Sequence, residues 1–179
     1  ANIRVKDLQI EPRLRFATAD QQWKGFVGLY TFGADQDDDI DLFGGGAWTD
    51  KTRTWALYGE VTTPLSSSLD LTLGGRYENE HRQRNGALSI FTTDFDATYK
   101  VFLPKATLAW KLDPDTTVGS TISRGYNGGG AAFTYDVPFT SYQFEPEYAW
   151  TLEGFGRKRM WDGALLLTGN LFYSDYKNM

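Results

Sequence analysis

The sequence predicts an all-β protein, an antiparallel up-and-down meander of about eight strands. Apolar residues recur at every second position and almost nowhere at helical spacing, which is the pattern of strands. The 179 residues are 16% aromatic and include 19 glycines but only two methionines, which fits β structure better than a helical bundle. Short turns alternate with long polar stretches, as in a series of hairpins.

The first predicted strand spans residues 8–18 and has one apolar and one charged face. Its apolar face carries Leu8, Ile10, Leu14 and Phe16. Its polar face carries Gln9, Glu11, Arg13 and Arg15. Because successive side chains of a strand point to opposite faces, this split predicts a strand between two different environments.

Five later strands repeat the alternation along the chain. Their apolar residues are Trp55, Leu57, Gly59 and Val61; Leu71, Leu73 and Tyr77; Phe102, Ala106, Leu108 and Trp110; Tyr148, Trp150 and Leu152; and Leu165, Leu167, Leu171 and Tyr173. Two further strands are less regular. Segment 23–33 is apolar on both faces, and segment 116–126 mixes apolar and polar residues on one face.

The connections differ at the two ends of the predicted strands. Short turns are expected at 19–22, 65–68, 113–115 and 161–163, and long loops at 34–50, 82–98 and 127–145. Transmembrane β-barrels have this asymmetry, and Trp55, Trp110 and Trp150 lie on the apolar faces as interfacial aromatic residues would. Alternation alone also fits a soluble all-β module that binds a ligand or carbohydrate, or a small complete eight-stranded outer-membrane barrel.

Composition excludes several classes of function. The chain has no cysteine and a single histidine, His81, and we find no Ser/His/Asp set around it, so neither an enzyme nor a cofactor is expected. The formal net charge of −5 argues against nucleic acid as a partner. No apolar run approaches the roughly 18 residues of a transmembrane helix.

Specific strings resemble the barrel of TonB-dependent outer-membrane receptors, in particular siderophore receptors. They are YKVFLPKATLAWKLDPDTTVGSTISRGYNGGG at 99–130, FEPEYAWTLEGFGRKRMWDGALLLTGNLFYSDYKN at 144–178, and WALYGEVTTPLSSSLDLTLGGRYENE at 55–80. The resemblance implies a Gram-negative outer membrane, contact with its lipid, and a parent barrel of twenty-two strands closed by a plug. It also implies import of a scarce nutrient, such as an iron–siderophore complex, with energy from an inner-membrane complex.

The chain is expected to be a partial β-barrel domain over residues 1–179, a fragment with neither a plug domain nor an energy-coupling box. At least eleven charged side chains would point inward: Glu11, Arg13, Arg15, Glu60, Arg76, Glu78, Lys105, Lys111, Glu147, Glu153 and Arg157. A closed eight-stranded barrel would have to bury them in a narrow interior. We therefore predict an open sheet whose edge strands, 8–18 and 163–177, do not pair.

Three local features are candidates for chemistry. Asp35, Asp37 and Asp39 are weak calcium ligands, because Ile40 and Gly46 occupy the positions where an EF-hand loop has Gly and Glu; a solvated acidic loop tip is the favoured interpretation. The runs at 44–46 and 128–130 do not lie between a strand and a helix, so flexible loop glycines are expected rather than a phosphate site. His81 is expected at the rim of a strand end, exposed to water. No substrate-binding residue can be assigned.

Overall fold

The protein is described here by a computed structural model that covers residues 1–20, 22–41, 44–88, 91–133 and 140–178. Within these residues the chain forms eleven strands. They are β1 (Asn2–Ile10), β2 (Arg13–Ala17), β3 (Lys24–Ile40), β4 (Gly46–Pro64), β5 (Leu69–Leu88), β6 (Phe91–Asp113), β7 (Thr116–Asn127), β8 (Gly130–Phe133), β9 (Ser141–Phe144), β10 (Glu147–Met160) and β11 (Leu165–Lys177).

Nine of the described strands form one antiparallel sheet. Its order is β1, β3, β4, β5, β6, β7, β10 and β11, with β2 also paired to β3, and β8 and β9 form a separate two-stranded ribbon. The strands therefore follow one another in sequence order, which confirms the predicted meander. No helix among the described residues has the length and apolar character needed to cross a membrane.

The first predicted strand is correct in position but begins earlier, at Asn2, and is interrupted. Ile10 pairs with Thr31 and Arg13 with Gly28, so β1 and β2 keep one register along β3. The interruption falls at Glu11 and Pro12, where proline lacks the N–H that the ladder requires. Pro12 still accepts a backbone hydrogen bond from Leu29, at 3.1 Å.

Register joins the alternating residues into two continuous faces. On one face, which we call the apolar face, Leu29, Leu57, Tyr77 and Phe102 lie side by side on β3 to β6. Leu57 is 49% and Phe102 56% exposed, so nothing in the described chain covers this face. The opposite, polar face carries Tyr58 beside Arg76. The facial assignment made from periodicity is confirmed.

The prediction of long loops at 34–50 and 82–98 is wrong, because the structure has strands there. Strands β3 and β4 run through most of 34–50, and β5 and β6 run through most of 82–98. The continuous apolar face ends at a row of aromatic residues, which we call the aromatic boundary. It consists of Trp55, Tyr77 and Phe102. Beyond it the four strands continue as a polar extension, residues 32–40, 46–54, 78–88 and 91–101. The third expected loop, 127–145, contains β8 and β9.

The short turns lie where the sequence predicts them, between β2 and β3, β4 and β5, β6 and β7, and β10 and β11. In the last of these, Trp161 and Asp162 have φ of 54° and 53° and Gly163 has φ of 90°. Strand β11 pairs with β10, and β1 and β2 pair with β3, but the described residues contain no ladder between β11 and β1 or β2. The sheet is thus open, as predicted, and a small closed eight-stranded barrel is excluded.

Candidate functional site on the polar face

The most enclosed part of the described chain lies on the polar face of the extension. Trp48, Phe95 and Glu80 are 4%, 5% and 6% exposed, whereas the apolar face has no comparably buried side chain among the described residues. Glu80 and Phe95 lie beneath the ribbon of β8 and β9 and the segment that leads into it, because Gly128 to Ala131 lie against β5 and β6, and Trp48 lies beneath Arg84. The ribbon folds over the sheet and does not extend away from it.

Glu80 is the centre of the contacts beneath this ribbon. Its carboxylate accepts a hydrogen bond from Arg82 Nε at 2.8 Å and another from the Tyr126 hydroxyl at 2.9 Å. The pKa of the Tyr126 hydroxyl is raised well above its ordinary value. Burial is the larger cause and the hydrogen bond to Glu80 the second. Tyr126 therefore stays protonated and continues to donate to the carboxylate. A buried carboxylate needs such partners, because an unpaired charge in a dry site is strongly unfavourable.

Arg82 connects the same carboxylate to the backbone of the ribbon. Its Nη1 lies 3.3 Å from the carbonyl oxygens of both Gly128 and Gly129. A side chain at either glycine would collide. A Cβ on Gly128 would lie 2.5 Å from Glu80 Oε2, and one on Gly129 2.5 Å from the Tyr99 hydroxyl and from the Phe144 carbonyl oxygen. The glycines at 128 and 129 therefore serve close packing, which corrects the expectation of flexible loop glycines there.

The glycines at 44–46 have a different role from those at 128 and 129. Gly44 and Gly45 have φ of 99° and 82°, the left-handed region that glycine adopts most easily, and Gly46 begins β4. These residues allow the chain to turn between β3 and β4.

A cavity of about 400 Å³ lies between the ribbon and the polar face of the extension. Its lining comprises Gln36, Asp50, Thr52, Arg82, Gln83, Arg84, Phe95, Gly129, Gly130, Ala131 and Phe144. The volume is in the range of small-molecule sites, and polar groups converge on it. The cavity can accept a ligand that combines anionic groups with apolar surface.

Arg84 contributes the second guanidinium group of this cavity. It lies 3.5 Å from Asp50 Oδ1 and over the Trp48 ring at 5.9 Å from the ring centre. Its Nε is buried without a hydrogen-bond partner among the described residues. Burial raises the pKa of Asp50, and the neighbouring Arg84 opposes this rise. The 3.5 Å between Arg84 Nε and Asp50 Oδ1 is longer than an ordinary hydrogen bond, so the guanidinium retains capacity for an anionic ligand.

The calcium candidates lie on the other side of the extension. Asp35, Asp37 and Asp39 occupy alternate positions of β3 on the continuation of the apolar face, in a strand and not in a loop tip. Asp35 forms an ion pair with Arg53 at 2.7 Å, and Asp37 accepts a hydrogen bond from Thr49 at 3.2 Å. In the part of the chain that the structure describes, no group of three acidic or histidine side chains is arranged to hold a metal ion.

His81 lies in the middle of β5 and not at its end, which corrects its expected position. Its Nε2 is 2.7 Å from Asp96 Oδ1, and Gln83 donates to the other oxygen of the same carboxylate. The imidazole is partly exposed and shares the face of Asp35, so it lies across the sheet from the cavity.

Several of the predicted inward charges pair on the polar face. Lys105 Nζ lies 3.0 Å from Glu60, and Lys111 Nζ 2.7 Å from Asp70. Glu11 pairs with Arg13, and Arg76 pairs with Glu78. These pairs neutralise charge on the polar face at and below the aromatic boundary.

Sequence reasoning missed the cluster under the ribbon. Glu80 and Arg82 lie on either side of His81, so they share a face that His81 does not. That spacing is visible in the sequence, but their contact with Tyr126 and with the glycines depends on the fold of the ribbon.

Comparison with known proteins identifies the sheet. A family model described as TonB dependent receptor-like, beta-barrel, matches residues 4–179. The ferric yersiniabactin uptake receptor FyuA from Yersinia pestis is similar in structure, with a TM-score of 0.81 at 18% identity over 99% of this chain and 29% of that one. The alcaligin outer membrane receptor FauA from Bordetella pertussis matches with a TM-score of 0.70 at 15% identity, over 99% of this chain and 30% of its own.

At these identities the two structures establish a shared fold, and this chain spans less than a third of the length of either. The family match extends over almost the whole sequence and agrees with the open meander, its apolar face and its paired inner charges. The chain belongs to the family of TonB-dependent receptor β-barrels.

Proposed function

We propose that this chain is a segment of the barrel wall of a siderophore receptor in the outer membrane of a Gram-negative bacterium. In this proposal residues 1–179 are part of one barrel domain, and the apolar face below the aromatic boundary contacts lipid. The polar face lines the lumen, and the extension rises into the external medium.

The two faces support the membrane orientation. The apolar face exposes Leu57, Leu108 and Leu152 at 49%, 43% and 55%, as lipid contact requires. Aromatic residues lie at its limits, where interfacial rings are favourable. Beyond them, Asp35 and Arg53 stand on the same face of the sheet, which fits a wet environment there.

The single observation that carries the proposed substrate class is the cavity under the ribbon. It presents the guanidinium groups of Arg82 and Arg84 with the aromatic ring of Phe95. Iron chelates combine anionic donor groups with apolar surface, and planar guanidinium groups bind such oxygens well. The two structurally similar proteins agree with this substrate class, since FyuA is a ferric yersiniabactin uptake receptor and FauA is an alcaligin receptor. Uptake would need energy from an inner-membrane complex acting on the complete receptor.

The experiment measures binding by the full-length receptor that contains this segment. Ferric yersiniabactin and ferric alcaligin are titrated while tryptophan fluorescence is followed, and the receptor gene is deleted to test growth on each chelate as the iron source. We expect one chelate to bind and the deletion to abolish growth on it.

Arg84→Ala should weaken binding of that chelate by about tenfold or more, since a hydrogen bond to a charged group is lost. The matched control is Arg53→Ala, on the opposite face of the sheet, which should leave affinity unchanged. Equal effects of both substitutions would remove the cavity from the proposal. Growth that does not depend on the receptor with either chelate would contradict the iron–siderophore function.

A further inference from the structure

Arg82 contributes both to the attachment of the ribbon and to the lining of the cavity. Its Nε donates to Glu80, its Nη1 donates to the carbonyl oxygens of Gly128 and Gly129, and the side chain also lines the cavity. Any ligand group that attracts Arg82 into the cavity therefore acts on the attachment of the ribbon.

The attachment depends on a small number of strong contacts. Glu80 is buried and ion-paired with Arg82, and it also accepts a hydrogen bond from Tyr126, which lies two residues before Gly128. Hydrogen bonds to ionised groups are stronger than neutral ones. Strands β8 and β9 also lie beside β6, and the segment before them places Gly128 against Glu80 and Arg82 and Gly129 against Tyr99.

We propose that Glu80 is a positioning residue that holds the β8–β9 ribbon over the cavity through Arg82 and Tyr126, and that an anionic group of the ligand releases the ribbon by competing for Arg82. The release of the ribbon by a ligand rests on the proposed function. The positioning role of Glu80 does not, because it concerns the ligand-free receptor.

The first test measures the position of the ribbon without ligand. Cysteines for spin labels replace Ser141 on β9 and Asn85 on β5, both exposed, in the full-length receptor; this chain has no cysteine of its own. Pulsed electron paramagnetic resonance should give one narrow distance. Glu80→Gln keeps the size of the side chain but removes its charge, and it should raise the population of a longer distance by about tenfold.

Two further variants keep this test decisive. Tyr126→Phe removes one hydrogen bond and should give a smaller shift in the same direction. Glu153→Gln, on the polar face of β10 where Glu153 accepts from Asn170 at 3.0 Å, should leave the distance unchanged. An unchanged distance in both Glu80→Gln and Tyr126→Phe would overturn the positioning role.

The second test adds whichever ferric chelate binds. Saturation should shift the wild-type receptor toward the longer distance, and Arg82→Ala should show that distance before ligand is added and change little afterwards. Measured binding with no change of distance in the wild type would overturn release by competition but leave the proposed function intact. Failure of both chelates to bind concerns the proposed function and does not affect the ligand-free result.

Discussion

At the scale of single residues, neighbours in one strand lie in opposite environments. Thr107 on the polar face shares a hydrogen bond with Thr121, at 2.9 Å across the β6–β7 pair. Leu108, the next residue, is 43% exposed on the apolar face. The same substitution at these two neighbouring positions therefore places the new side chain in two different environments.

The first prediction compares Leu108→Lys with Thr107→Lys in the full-length receptor in a lipid bilayer. A lysine near the middle of the lipid-facing band destabilises a barrel by roughly 2–4 kcal/mol. On the polar face the loss is about 1 kcal/mol, from the hydrogen bond to Thr121. The free energy of unfolding in urea, measured during reversible folding into vesicles, distinguishes the two. Equal losses would contradict a difference in environment between the two faces, and a larger loss at Thr107 would mean that the faces are assigned the wrong way round.

A second residue-scale prediction concerns pH at the β6–β7 turn. Asp113 accepts the N–H of Asp115 at 2.8 Å and a hydrogen bond from Thr116, and these bonds hold the pKa of its carboxyl below the ordinary range. Because the folded pKa is lowered, the stabilisation is present above about pH 4 and is lost as the pH falls through the folded pKa.

Carbon-13 spectra of aspartate-labelled receptor measure this pKa directly, with Asp113→Asn to assign the signal. Thr116→Val removes the hydrogen bond from the Thr116 hydroxyl and should move the pKa part of the way back toward its ordinary value. A pKa at or above the ordinary range in the wild type would show that the turn does not bind the carboxylate.

At the scale of elements, the main finding is that strands β3 to β6 continue past the aromatic boundary. Asp has a low preference for strands, so four aspartates between 35 and 39 favour a loop when the sequence is considered alone. In the fold, cross-strand partners outweigh that preference: Arg53 faces Asp35 and Thr49 faces Asp37. These partners are 18 and 12 residues away along the chain, so local pattern could not identify them.

The alternation itself was a better guide. Where one face of a strand is apolar, as in β4 below Trp55 or β6 below Phe102, the alternation of apolar and polar residues correctly predicted the strand. It also predicted which side chains share a face. In the extension the continuation of the apolar face carries polar residues such as Asp35 and Arg53, so the contrast between the two faces is lost and the strands were missed. The site lies in that region, and its key contacts join residues 46 positions apart, such as Glu80 and Tyr126.

At the scale of the whole molecule, the sheet has two edges that lack a partner within the described residues. One is β1 with β2, and the other is β11, where Leu171 and Phe172 are 83% and 73% exposed. Edge strands with free backbone groups and apolar side chains pair readily with other chains. In lipid, open edges are strongly unfavourable, because backbone groups there find no water.

This openness predicts that residues 1–179 expressed alone do not form a stable monomer in detergent. The segment should aggregate, or should migrate on unheated gels as an unfolded chain, while the full-length receptor migrates as a compact species until it is heated. Sedimentation and gel mobility of both samples provide the measurement. A compact, protease-resistant monomer of the segment would show that its edges close on each other after all.

The continuation of β5 beyond Tyr77 has a consequence for how such a receptor can change over time. At about 3.3 Å per residue, the part from Glu78 to Leu88 reaches roughly 35 Å past the aromatic boundary. Below that boundary each substitution must preserve the contrast between lipid and water across the sheet. Above it the continuation of the apolar face meets water, so pairing with the neighbouring strands is the main constraint on that face, whereas Glu80 and Arg82 on the other face are held by the ribbon. The outward positions in one half of a single strand can thereby diversify more freely than those in the other half, where the proposed lipid contact restricts the side chains to apolar types.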